Sequence, residues 1–246
     1  MMTMMQYSGN TALDIQPYGD SAVIIRFGGH ISEEVNSRVH AAAACMEERP
    51  FPGFVECIPA FTSLTIFYDV YAVSNIKKGV SPFALVKKEV TERLSHIMTG
   101  RKEERRVMEI PVCYGGDFGP DLEEVAEMND LTPEDVIRIH TEGEYLVYML
   151  GFAPGFPFLG GMSERIRAPR KASPRPSIPA GSVGIAGMQT GVYPISTPGG
   201  WQLIGSTPLR LFRPEEHPPS LLRAGDTVKF VRITAEEYSR IKEGAE

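Results

Sequence analysis

Residues 151 to 200 hold 18 of the chain's 44 glycines and prolines, yet they read as packed structure rather than as a spacer. GFAPGFPFLGG opens the stretch at Gly151, and IPAGSVGIAGMQTGVYPISTPGGWQLIG runs from Ile178 to Gly205. A flexible linker of such composition would be polar, whereas this one carries Phe152, Phe156, Phe158, Leu159, Val183, Ile185, Tyr193 and Trp201. Glycine admits positive φ and close backbone approach, and proline fixes φ and removes a donor. Together they imply a succession of tight turns on a buried scaffold. Fixed loops of this kind are where binding groups concentrate.

Charge sharpens the reading. From Arg165 to Pro214 there is no aspartate or glutamate, while Arg165, Arg167, Arg170, Lys171, Arg175, Arg210 and Arg213 are all cationic. The chain as a whole has a formal net charge of -6. A cationic, acid-free segment in an acidic protein fits a carboxylate or phosphate better than a metal or a nucleic acid. Any single arginine in it can equally be a solvated loop charge.

At 246 residues, 42% of them hydrophobic, the chain can build one large core or two ordinary ones. No run of 18 apolar residues is present and the first thirty residues lack the pattern of a signal peptide, so a cytoplasmic protein without membrane or nucleic-acid partners is expected. Cys45, Cys57 and Cys113 are odd in number and far apart, which points to neither a disulfide framework nor a metal site.

The first hundred residues alternate strand-like and helix-like patterns. Ser21 to Phe27 reads as a strand, and Ser32 caps a helix carrying Val35, Val39, Ala42 and Met46. Phe54 to Phe61 and Leu64 to Tyr68 read as two further strands, and Ser81-Pro82 opens a second helix. With Val107 to Tyr114 as a last strand the order is β-α-β-β-α-β, the split βαβ or ferredoxin-like pattern, although that strand can instead belong to the second domain. The division expected is an α/β domain over 1–100, a charged linker RKEERR over 101–106, and a second domain over 107–246. In the latter, Asp121 is expected to cap one helix and Thr132-Pro133 to open another. Short strands from Glu144 to Asp226, with Thr227 to Ile233 closing, predict a β-barrel, so the fold class is α+β.

Familiar catalytic loops are absent: no Walker loop, no G-x-S-x-G elbow and no H-E-x-x-H occurs. Glycines at 181, 184, 187 and 191 form either a barrel turn or a backbone anion cradle. His140, at the end of a helix, is a candidate acid/base group or a C-terminal cap. Trp201, with Gln189 and Gln202, is a ligand platform or a core anchor. Phe152, Phe156 and Phe158 either fill the core or present a partner surface. Arg167, Arg170 and Arg175 are the candidate anion ligands, the last two because a preceding proline restrains the backbone that carries the fork.

Long strings of unusual composition, PYGDSAVIIRFG, IPVCYGG, FGPDLEEVA, GFAPGFPFLGG, IPAGSVGIAGMQTGVYP and TPGGWQLIG, make the chain resemble the B-component family of 5-oxoprolinase over nearly its whole length. The family is also described as allophanate hydrolase subunit 1 or KipI-type. The resemblance implies a C-terminal cyclophilin-like barrel and a non-autonomous role with subunits A and C in the ATP-dependent opening of 5-oxo-L-proline to L-glutamate. It does not imply a metal site in this chain. For KipI-type members it implies a second role, inhibition of a sporulation histidine kinase by binding its dimerisation domain.

Overall fold

The computed structural model describes residues 13–95 and 105–244, and the chain divides into two compact units, Met1–Lys102 and Glu103–Glu246. Of the linker expected at 101–106, the first four residues lie outside the described ones. Arg106 pairs with Asp226 of the second unit.

The first unit runs β1 (Asp14–Pro17), β2 (Ala22–Arg26), α1 (Glu33–Glu48), β3 (Phe54–Pro59), β4 (Ser63–Tyr68), α2 (Val70–Ser74) and α3 (Pro82–Leu94). Its sheet has the order β1-β2-β4-β3, with every neighbouring pair antiparallel. Alternation in β4 turns Leu64, Ile66 and Tyr68 inward onto the stripe Val39, Ala42 and Met46 of α1 and Val86, Val90 and Leu94 of α3. The Ser32 side chain accepts from Val35 N–H, and that of Ser81 from Ala84 N–H, so both long helices start where the sequence places them. The β-α-β-β-α-β order is modified by the short helix α2 after β4 and by an added first strand, and the last strand takes the alternative place left open for it. A strand precedes the expected first one, and the strand over Val107 to Tyr114 lies in the barrel.

The second unit contains β5 (Val107–Tyr114), α4 (Leu122–Met128), α5 (Pro133–Glu142), β6 (Tyr145–Leu150), β7 (Pro157–Gly160), β8 (Arg175–Ile178), β9 (Ser182–Ala186), β10 (Gln189–Val192), β11 (Thr197–Gly199), β12 (Gln202–Ser206), β13 (Thr227–Arg232) and α6 (Ala235–Glu243). Seven of the strands close a barrel in the order β10-β7-β6-β13-β5-β12-β9, and β8 pairs with β11 in a separate two-stranded ribbon. Every residue of β9 is buried. Ile110, Val112, Val147, Val183, Ile185, Ile204, Val228 and Phe230 fill the core together with Val125, Val136 and Ile137 from α4 and α5. Thr132 and Asp135 form a capping box at the start of α5, as the Thr-Pro-Glu-Asp sequence predicts.

Candidate functional site

Asp121 departs most from its sequence reading. Its side chain makes no capping hydrogen bond to α4, although it immediately precedes that helix. Instead the segment from Gly115 to Asp121 lies against β12. Gly119 is needed there, because a Cβ on it would stand 2.0 Å from the carbonyl oxygen of Ile204. This close approach lets Asp121 N–H donate to the Leu203 carbonyl at 2.9 Å while Asp121 Oδ2 accepts from Leu203 N–H at 2.7 Å. The remaining oxygen, Oδ1, accepts from Arg175 Nη2 at 2.7 Å and from Lys171 Nζ at 2.9 Å.

Burial of Asp121 pushes its pKa up, but the hydrogen bonds from Arg175, Leu203 N–H and Lys171 outweigh burial and hold the carboxyl below its ordinary value. Lys171 also donates to Glu124 Oε2 at 2.9 Å and to Gln202 Oε1 at 3.2 Å, which uses all three of its protons. Its pKa is raised, chiefly by the bond to Asp121.

The acid-free segment is therefore neutralised from outside itself. Lys171 and Arg175 pair with acids at the start of α4, while Arg210 and Arg213 pair with Glu215 and Glu216 just beyond the segment. Arg165, Arg167 and Arg170 are exposed, and among the described residues no carboxylate pairs with any of them.

Those three arginines sit on a firmly held backbone. Ile166 and Ala168 between them are buried in the barrel core. Asn129 Nδ2 donates to the Arg167 carbonyl at 3.0 Å, Gly187 N–H to that of Ala168 at 2.6 Å, and Gln202 Nε2 to that of Pro169 at 3.2 Å. Lys171 N–H then donates to the Gly200 carbonyl at 2.7 Å. Arg167 and Arg170 are thus displayed on a pinned chain rather than on a free loop.

The other candidates fall elsewhere. Gln202 is buried, and its amide is spent on Lys171 and Pro169. Trp201 is a core anchor, packed edge-on to Phe156 at 5.7 Å and to Tyr193 at 6.2 Å. Phe156 is buried in the same cluster, Phe158 packs against it, and only Phe152 projects, at 70% exposure and with φ +67. Gln189 opens β10 opposite Ala186. His140 lies wholly inside the barrel, stacked on Phe230 at 4.4 Å between ring centroids. Its Nδ1 meets Tyr114 Oη at 2.8 Å and its Nε2 meets Thr190 Oγ1 at 2.8 Å. Desolvation lowers its pKa to about 3, so it stays neutral and sealed from solvent.

Sequence reasoning missed Asp121 and Tyr193. Asp121 carried a misleading signal, since an aspartate before a helical stripe reads as a cap. The Tyr193 phenol is raised by burial against the opposing pull of Arg170, the Trp201 backbone N–H and Arg175. No pattern in the chain pairs Tyr193 with those arginines. Among the described residues no group of three or more His, Cys, Asp or Glu could hold a metal, and no helix is long and apolar enough to cross a membrane.

Residues 13–222 match the family model of the carboxyltransferase domain, subdomain C and D. The chain is 71% identical over 231 residues to the B component of the 5-oxoprolinase of Bacillus subtilis, covering 93% of this chain and 96% of that protein. It is 41% identical to the B component of the 5-oxoprolinase of Haemophilus influenzae, covering 89% and 97%. A conserved uncharacterized protein of Pyrococcus horikoshii superposes with a TM-score of 0.53 at 48% identity, over 91% of this chain and 99% of that one.

Proposed function

Because the chain belongs to the B-component family of 5-oxoprolinase, within the carboxyltransferase subdomain C and D fold, we propose that it is the B component of an ATP-dependent 5-oxoprolinase. In this reading it acts with subunits A and C to open 5-oxo-L-proline to L-glutamate. ATP is bound with or by a partner, since the chain has no recognised nucleotide loop. The cyclophilin-like character of the barrel belongs to the same proposal and carries no isomerase chemistry with it.

One observation supports the site: Arg170 is an exposed guanidinium without a carboxylate partner among the described residues, on a backbone pinned at Ala168, Pro169 and Lys171. Pinning the backbone that carries a guanidinium removes part of the entropic cost of a bidentate contact. Arg170, with Arg167 and the uncommitted edge of Arg175, is assigned to the substrate carboxylate or to a phosphorylated intermediate. His140 is given no part in the chemistry because it is sealed in the core. Gln202 braces the segment from behind through Lys171 and the Pro169 carbonyl, and Trp201 and Gln189 are given no contact with the ligand.

Reconstitution tests the reading. The purified chain alone should hydrolyse no ATP in response to 5-oxoproline, and the complex with subunits A and C should do so. Arg170→Lys keeps the charge and loses the fork, and should lower the activity of the complex about tenfold, equivalent to roughly 1.4 kcal/mol of transition-state stabilisation. Turnover by the isolated chain, or full activity in a folded Arg170→Lys complex, overturns it.

A second reading, inhibition of a sporulation histidine kinase, is favoured by Phe152 alone. Its ring is 70% exposed on a left-handed backbone that a non-glycine residue adopts at a cost. An aromatic ring held out in this way suits a hot-spot contact with a helical dimerisation domain.

A further inference from the structure

Asp121 deepens the proposed anion site, and the role assigned to it below rests on that reading of the site. The carboxylate is fixed to β12 at two points, since its own N–H and its Oδ2 both engage Leu203. Oδ1 is thereby aimed at the cationic segment, where it takes one N–H of Arg175 and one of Lys171. Lys171 has no donor left after Asp121, Glu124 and Gln202. Arg175 is different: a guanidinium has five donors, and among the described residues its contacts beyond Asp121 amount to one of 3.5 Å to the Trp201 carbonyl.

Arg175 and Arg170 share one neighbourhood around Tyr193, whose phenol both cations pull toward ionisation. Arg175 stands across the ribbon from Gly199, and a Cβ on Gly199 would fall 2.6 Å from Tyr193 Oη. The Gly200 carbonyl holds Lys171 N–H, which brings Arg170 to the same place. Three cations cannot share such a neighbourhood without a counter-charge behind them. Asp121, with Glu124 beside it, supplies it from the α4 side.

We infer that Asp121 is a positioning residue, whose carboxylate holds the Arg175 guanidinium in the orientation from which it grips the substrate carboxylate together with Arg170. Asparagine at this position keeps the shape and can still accept from Leu203 N–H, but it attracts neither cation. A staple that merely fastened the segment to α4 would affect stability and leave substrate affinity untouched.

The test is a double-mutant cycle in the reconstituted complex, with KM for 5-oxoproline, kcat and Tm measured for Asp121→Asn, Arg175→Lys and the pair. Asp121→Asn should raise KM about tenfold with a much smaller change in kcat, and the double variant should be no worse than Arg175→Lys alone to within about twofold. An unchanged KM in folded Asp121→Asn, or KM effects that multiply, overturns the inference. Should Asp121→Asn fail to fold, Asp121→Glu carries the same cycle. It keeps the charge but moves the oxygen, so KM should again rise, and an unchanged KM again overturns the inference. A wild-type complex without oxoproline-dependent ATP hydrolysis overturns the functional reading, and this inference with it.

Discussion

His140 Nε2 lies 2.8 Å from Thr190 Oγ1, which in turn donates to the Gly184 carbonyl at 3.1 Å, so the strands of the barrel and the end of α5 are joined by a buried polar chain. The pKa of His140 falls from 6.5 to about 3 through desolvation. Below 6.5 the unfolded chain takes up a proton that the folded barrel refuses. Stability is therefore fully present above 6.5 and is lost as pH falls toward 3. Denaturant unfolding of the wild type should show a slope approaching 1.4 kcal/mol per pH unit in that window, and His140→Gln should flatten it. Identical slopes would mean that the histidine is solvated.

Thr190→Val removes one end of the same chain and leaves His140 Nε2 without a partner, while the Gly184 carbonyl keeps its place in the β9–β10 ladder. A loss of about 1 to 3 kcal/mol is expected in chemical denaturation at neutral pH. A loss near zero would show that water replaces the hydroxyl.

Gly119→Ala places a methyl 2.0 Å from the Ile204 carbonyl oxygen, and neither backbone can give way cheaply. Its φ is -144, so the cost is steric and not conformational. About 2 kcal/mol or more of stability should be lost, read as a shift in Tm. In the reconstituted complex activity should fall with it, since Asp121 can no longer reach Leu203 on both sides.

Phe152 and Phe156 should separate in a stability assay although they are close neighbours in sequence. Phe156→Ala empties the buried aromatic cluster and should cost about 3 to 5 kcal/mol. Phe152→Gly relieves a left-handed residue with φ +67 and should leave stability within about 1 kcal/mol of wild type. If the kinase reading is right, only Phe152→Gly should both fold and lose binding to the dimerisation domain.

Limited proteolysis should cut within residues 101–106 and release two folded fragments, if that segment links two separately packed cores. A single resistant core trimmed only at its ends would count against the boundary.

Local chemistry determined much of this protein. Ser32, Ser81 and Thr132 start helices because their side chains satisfy backbone donors within one turn, and such short-range contacts are written in neighbouring letters. Alternation in β4, helical stripes in α1 and α3, and turn residues between short strands likewise followed from spacing alone. The acid-free stretch and its arginines were visible as composition. Tertiary structure alone decided which of those arginines find a carboxylate among the described residues. Asp121 meets Arg175 across 54 residues and Lys171 across 50, and His140 meets Thr190 across 50, through a barrel whose closure no periodicity encodes. Strand Val107–Tyr114 shows the same limit. Its pattern marks it as a strand, but only its parallel pairing with β13 over Thr227–Arg232 assigns it to the barrel. A charge's partner is set by distance in the fold, and that is why an aspartate that reads as a helix cap became the counter-ion of Lys171 and Arg175.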